Sequence, residues 1–178
     1  MTVEAVIKNG ADLKRIMARE TKLAGEKRSS KAIYRASVSL TNNLTVEAKA
    51  RNFTFLIDEP ASFGGADRGP NPEEALLAAV GACQAITAAL YAAFLEIPIT
   101  RYEVALKGYA ELAGFYGVGE KATGFERVVC EVTVESDAPV EKLKEFEPMV
   151  EERCVGHGTL RHPVAIETHW NINNPALR

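Results

Sequence analysis

The stretch 71–95, NPEEALLAAVGACQAITAALYAAFL, constrains this chain more than any other. From Ala75 to Leu95 it carries no charge and no proline, and Gln84 and Thr87 are its only strongly polar residues. Pro72 followed by Glu73 and Glu74 marks a helix start, because proline's missing amide hydrogen costs nothing in the first turn and carboxylates suit the positive end of the helix dipole. A helix apolar on every face has to be surrounded. The fold is therefore expected to wrap protein around it and to shelter the thiol of Cys83 at its middle. The run also reaches the length of a membrane span. About half of it is alanine and glycine, whose transfer energies are weak, and no second such run exists, so the expectation is a core helix and no membrane partner.

The rest of the chain reads as strands, the long helix, strands, a helix and a strand. Leu13, Ile16, Met17 and Leu23 recur at helical spacing over residues 11–24 and predict a short amphipathic helix, ended by Gly25 and the polar run to Ser30. Strands over 32–40, 44–49 and 53–57, broken by Thr41-Asn42-Asn43 and Arg51-Asn52, predict an antiparallel meander with Tyr34, Ala36, Val38 and Leu40 turned to the core. Three glycines and three prolines make 58–74 an irregular loop, and it carries Arg68 close to the helix start. Ile97-Pro98 stops the long helix. A strand over 100–112, a wide glycine-rich turn over 113–124 and a strand over 125–135 follow. In the last of these Val128, Cys130, Val132 and Val134 share a face, so Cys130 is expected to be a packed core thiol without reactivity. Ser136 to Pro139 opens another helix, with Val140, Leu143, Phe146 and Val150 as its stripe and Pro148 as a kink; it leads to Cys154. Gly156 and Gly158 then free the backbone, and 164–172 alternates as a final strand. This pattern predicts an α+β fold with antiparallel sheets around a buried helix, preceded by a helical extension: 1–31 for the extension, 32–178 for the main domain.

Charge excludes one class of partner. The 178 residues carry a net charge of −3, which gives no footprint for nucleic acid. Residues 8–31 hold a net +5 and leave −8 elsewhere, a pattern read as the solvated face of a helix. Three cysteines and no signal-peptide pattern at the start predict a cytoplasmic protein with reduced thiols.

Cys83 and Cys154 are the pair to weigh, and residue types alone leave three readings open. They are two unrelated core cysteines; or part of a metal site with His157 and His162, since C-x2-H is a half-site; or one is a nucleophile with His157 as its base, without an accompanying oxyanion-hole motif. Neither of the last two is the favoured reading, and no metal or other cofactor is expected.

The segments DEPASFGGADRGPNPEEALLAAVGACQAIT and EERCVGHGTLRHPVAIE resemble the two signature regions of the OsmC/Ohr family of osmotically inducible and organic-hydroperoxide-resistance proteins. The likeness spans roughly 32–172, and LKGYAELAGFYGV resembles the longer OsmC-like branch. The resemblance implies an intertwined homodimer of α+β subunits that reduces organic hydroperoxides, with an external dithiol as reductant. It makes Cys83 the peroxidatic cysteine, Cys154 the resolving one and Glu73 the carboxylate that orients an activating arginine. That arginine belongs in the first hairpin, where this chain has Thr41-Asn42-Asn43; Arg68, or else Arg35, is the substitute. Leu76, Val80, Phe94 and Phe63 are the apolar lining expected for an organic substrate. The rival reading is a non-enzymatic dimer of the same fold that binds an apolar ligand or senses oxidants.

Overall fold

A computed structural model describes residues 10–25 and 31–173. In chain order these are α1 (Gly10–Gly25), β1 (Ser37–Asn42), β2 (Thr45–Ala50), β3 (Phe53–Ile57), a 3-10 turn (Ala61–Phe63), α2 (Pro72–Leu95), β4 (Arg101–Ala110), α3 (Leu112–Phe115), β5 (Phe125–Glu135), α4 (Val140–Arg153) and α5 (Val155–Arg161). The expected ends of the N-terminal extension, 1–9 and 26–30, lie outside the described residues. Strands β1, β2 and β3 form one antiparallel sheet, and β4 with β5 a separate long hairpin.

Helix α2 starts where its sequence says it should. The Asn71 side chain accepts from the Glu74 amide at 2.8 Å and the Glu74 carboxylate accepts from the Asn71 amide at 2.9 Å, a reciprocal cap that satisfies two otherwise orphaned donors. By length and composition α2 could cross a membrane; here it is the helix on which β4, α4, α5 and α1 pack. Gly81 lets β4 approach closely, since a Cβ there would stand 2.7 Å from the Leu106 side chain. The core joins Ala88 and Ala92 of α2, Ile97 and Ile99 of the following turn, and Phe146 and Val150 of α4. α1 lies against α2, tied at its surface by the Lys14–Glu96 ion pair.

The protomer departs from the expected pattern in five places. α2 is not buried all round: Val80, Gly81, Gln84, Ala88 and Ala92 are buried, while Ile86 is 63% exposed. β1 begins only at Ser37, and Tyr34, Val38 and Leu40 stand in solvent instead of turning to the core. The glycine-rich turn contains the one-turn helix α3. Val155–Arg161 is helical where a freed loop was expected, because Cys154 caps it and Gly158 and His162 amides close its turns. Residues 163–173 form no strand, and Ile166 and Trp170 are 87% and 82% exposed. The first, second and fifth departures share one cause: alternation reports which faces are apolar, and these apolar faces stand exposed among the described residues.

The loop that leads into α2 is knotted around Asp58, which is almost wholly buried. Its carboxylate accepts from Thr45 Oγ1 at 3.1 Å and from the amides of Glu59 at 2.9 Å, Arg68 at 3.3 Å and Ala66 at 3.5 Å. Burial alone would push this carboxyl up, but the four donors outweigh it and hold it below the ordinary carboxylate value. A depressed folded-state value contributes stability above the unfolded value that is lost as pH falls through the native one. Asp58→Asn is therefore expected to unfold at lower urea than wild type at neutral pH. The gap should narrow as pH drops through the carboxylate range; a gap that stays constant would contradict the charged knot.

Candidate active site

Cys83 sits at the middle of α2, with its carbonyl accepting from Thr87 Oγ1 at 2.8 Å. Cys154 occupies the joint between α4 and α5 and is 1% exposed. Both are free thiols and they are neighbours: the Cys83 side chain contributes to the upward push on Cys154. The Gly156 amide also donates to Cys83 Sγ at 3.3 Å. A Cβ on Gly156 would stand 3.3 Å from both Cys83 Cβ and Val80 Cα, so any side chain there would press the start of α5 away from α2.

The two sulfurs have different surroundings. Burial pushes Cys154 up, the His157 amide pulls it back, and the Cys83 side chain pushes it up again against a smaller pull from the Gly156 amide, leaving it raised. Cys154 is thus a protonated thiol at neutral pH. It is placed to donate to Cys83, whose sulfur already receives the Gly156 amide.

His157 follows on α5. Its Nδ1 is buried with no hydrogen-bond partner among the described residues, so this nitrogen bonds to neither cysteine. Burial, and then Arg161, push the ring below its ordinary value and keep it neutral. His162 is exposed at the end of α5, away from a shared ligand set with His157. Among the described residues no three His, Cys, Asp or Glu side chains converge as metal ligands.

Cys130 is not walled off. It is half-buried and lines a cavity of about 310 Å³ with Val80, Val128, His157, Leu160 and Arg161. Its thiol donates to Gln84 Oε1 at 2.9 Å. Burial pushes it up, with Glu151 and Cys154 adding to the shift. Of the apolar residues expected to line the site, Val80 reaches this cavity, whereas Leu76, Phe94 and Phe63 are 46%, 40% and 42% exposed elsewhere.

The expected arginine is not at the thiol within the protomer. Arg68 is exposed, and among the described residues its guanidinium forms no ion pair; its amide belongs to the Asp58 knot. Arg35 is likewise exposed. Glu73 is exposed on the first turn of α2, and α2 is a single helix from there to Cys83. Ten residues at ~1.5 Å each separate the two by about 15 Å, so this Glu73 cannot touch this Cys83.

The family described as OsmC-like protein matches residues 64–169, a span that holds both cysteines and the whole of α2. The chain belongs to the OsmC-like protein family. A hydroperoxide reductase of Mycoplasma genitalium is 29% identical over 130 residues, 71% of this chain and 86% of that protein. The solved structure of an OsmC-like protein from Mycoplasma pneumoniae aligns with a TM-score of 0.64 at 25% identity, over 75% of this chain and 89% of that one. An organic hydroperoxide resistance protein OsmC from Legionella pneumophila aligns at 0.57 and 16% identity, over 75% and 92%. The α+β OsmC-like fold is thereby shown.

Two residues of this OsmC-like site were missed in the sequence. Gly156 carried a signal, since a glycine inside a helical turn reads as a close approach, but the turn itself was taken for a loop. Gln84 carried one too: it is the longest polar side chain in an apolar run and has to find a partner. Gly156→Val is expected to lift α5 off α2, costing about 1–3 kcal/mol of stability by overpacking. Oxidant-driven bridging of Cys83 to Cys154 should slow in parallel, read by non-reducing peptide mapping against time. Unchanged bridging would contradict the role given to this contact.

Proposed function

We propose that this OsmC-like protein is a thiol-dependent hydroperoxide reductase working through Cys83 and Cys154. The observation that carries the reading is the Gly156 amide, two residues after Cys154, on Cys83 Sγ, a contact that seats the second thiol beside the first. Negative charge on Cys83 is met by that amide and by the Cys154 thiol. The Cys83 thiolate attacks the terminal oxygen of an organic hydroperoxide; the O–O bond breaks, the alcohol leaves with a proton, and Cys83 becomes a sulfenic acid. Cys154 then attacks this sulfur, forming the disulfide and releasing water. An external dithiol reduces the bridge by exchange and is itself oxidised. Localisation in the cytoplasm, where thiols are held reduced, fits this cycle.

The working unit is a homodimer. Its support is the apolar surface one subunit leaves open: Tyr34 at 90%, Leu40 at 70%, Ile166 at 87% and Trp170 at 82% exposed, along two segments that were expected to be strands, and Ile86 at 63% on the outer face of α2. A subunit that exchanges such segments with its copy buries them and regains the expected ladders. The same exchange provides a route for Glu73 and Arg68 of one subunit to serve the other's thiol pair, which the 15 Å span along α2 forbids within a protomer. Sedimentation should give the dimer mass at micromolar concentration, and a stable monomer would contradict the arrangement. Arg68→Ala is expected to slow peroxide reduction at least tenfold with the dimer intact; an unchanged rate removes Arg68 from the role.

The direct test is consumption of cumene hydroperoxide with dithiothreitol. Cys83→Ser should fall to the uncatalysed background, whereas Cys154→Ser should complete a first turnover and slow thereafter. That neither Arg68 nor Arg35 pairs with Cys83 among the described residues favours one second reading, a dimer of the same fold that binds an apolar ligand or senses oxidants. A wild-type protein that forms the disulfide once but shows no sustained turnover would select it.

A further inference from the structure

Gln84 is 2% exposed at the position after Cys83, on the stripe of α2 that faces β4 and β5. A buried primary amide is costly unless its oxygen and nitrogen are both used. Its Oε1 accepts the Cys130 thiol at 2.9 Å, and Tyr102 of β4 is a neighbour of the same amide. Cys130 itself lies opposite Leu106 in the hairpin and opens on the cavity shared with His157, on the same flank of α2 as the Cys83–Cys154 pair. All three thiols of the chain therefore gather around one stretch of α2, and burial does not isolate the third.

We propose that Gln84 is the positioning residue that keeps Cys130 out of the thiol chemistry: it takes the Cys130 S–H as a hydrogen bond, holds that thiol on its own amide, and leaves Cys154 as the partner of oxidised Cys83. The competing step it suppresses is attack of the Cys130 sulfur on the Cys83 sulfenic acid, which would release water and form a Cys83–Cys130 bridge in place of the productive one. A neutral S–H donor spent on an amide oxygen is a poor nucleophile, because the thiolate is the attacking species. Burial and the nearby Glu151 act in the same direction by disfavouring the thiolate. The Tyr102 hydroxyl completes the device by holding the amide in the orientation that presents oxygen to sulfur.

This inference rests on the reading that Cys83 is the oxidised residue, and its first test does not. In a Cys83→Ser/Cys154→Ser background Cys130 is the only thiol, so its S–H stretching band is seen alone by infrared spectroscopy of the reduced protein. The band should lie at the hydrogen-bonded position with Gln84 present and move to the free-thiol position in Gln84→Met, with Tyr102→Phe giving a smaller shift of the same sign. Tyr102→Phe stands in should Gln84→Met fail to fold. A band unmoved by both changes overturns the hydrogen-bonding role whether or not the protein reduces peroxides. With all three cysteines restored, one equivalent of cumene hydroperoxide should leave several-fold more Cys130 in disulfide in Gln84→Met than in wild type, by peptide mapping. A shifted band with the same Cys130 oxidation overturns the protective role. No bridging of Cys83 in wild type would instead sink the reductase reading and leave the band result standing.

Discussion

Everything specific about this protein depends on how closely α5 comes down on α2. The contact is made at Gly156, which has no side chain to hold the two helices apart, and it brings the Gly156 amide onto the sulfur of Cys83 with Cys154 as a neighbour. A sulfur on an apolar helix would ordinarily be a poor place for charge, since burial opposes ionisation. Here a backbone donor meets it, and a second thiol is its neighbour. The long helix supplies the rigid base, and the core of Ala88, Ala92, Phe146 and Val150 anchors α4 so that its end delivers Cys154 to the right height.

Most of the fold was legible because its elements obey simple periodicity. The ends of α2, β3 and β5 lie within a residue of where caps, turns and alternation put them. The failures concentrate where an apolar face meets nothing in its own chain: the start of the first strand, the outer stripe of α2 at Ile86, and residues 163–173. Those segments were read as strands or buried helix because composition cannot say whether the covering surface comes from the same molecule. The family kinship supplies the fold in which such surfaces belong, and the proposed exchange between two copies supplies the cover.

The candidate site was legible in part. Sequence pointed to Cys83 and Cys154, and the fold brings together two residues that lie far apart in the chain. It did not give the means of approach, because a glycine two residues after a cysteine resembles loop punctuation as much as a packing contact. Arg68 and Glu73 were placed by analogy, and the protomer sets them toward solvent and away from the thiols. Cys130 shows the limit of a strand pattern: sharing a face with valines is compatible with lining a cavity, and the partner that restrains it, Gln84, lies on another element altogether. The Asp58 knot, by contrast, was invisible, since one carboxylate in a loop carries no mark of the four donors that will surround it.

The most direct test of the central claim is a count of thiols in the wild-type protein. The reduced chain holds three. After one equivalent of an organic hydroperoxide, without added reductant, the account predicts that two thiols per chain disappear together, that dithiothreitol restores both, and that the survivor is Cys130. Loss of a single thiol that dithiothreitol does not restore, with Cys154 still free, would contradict it.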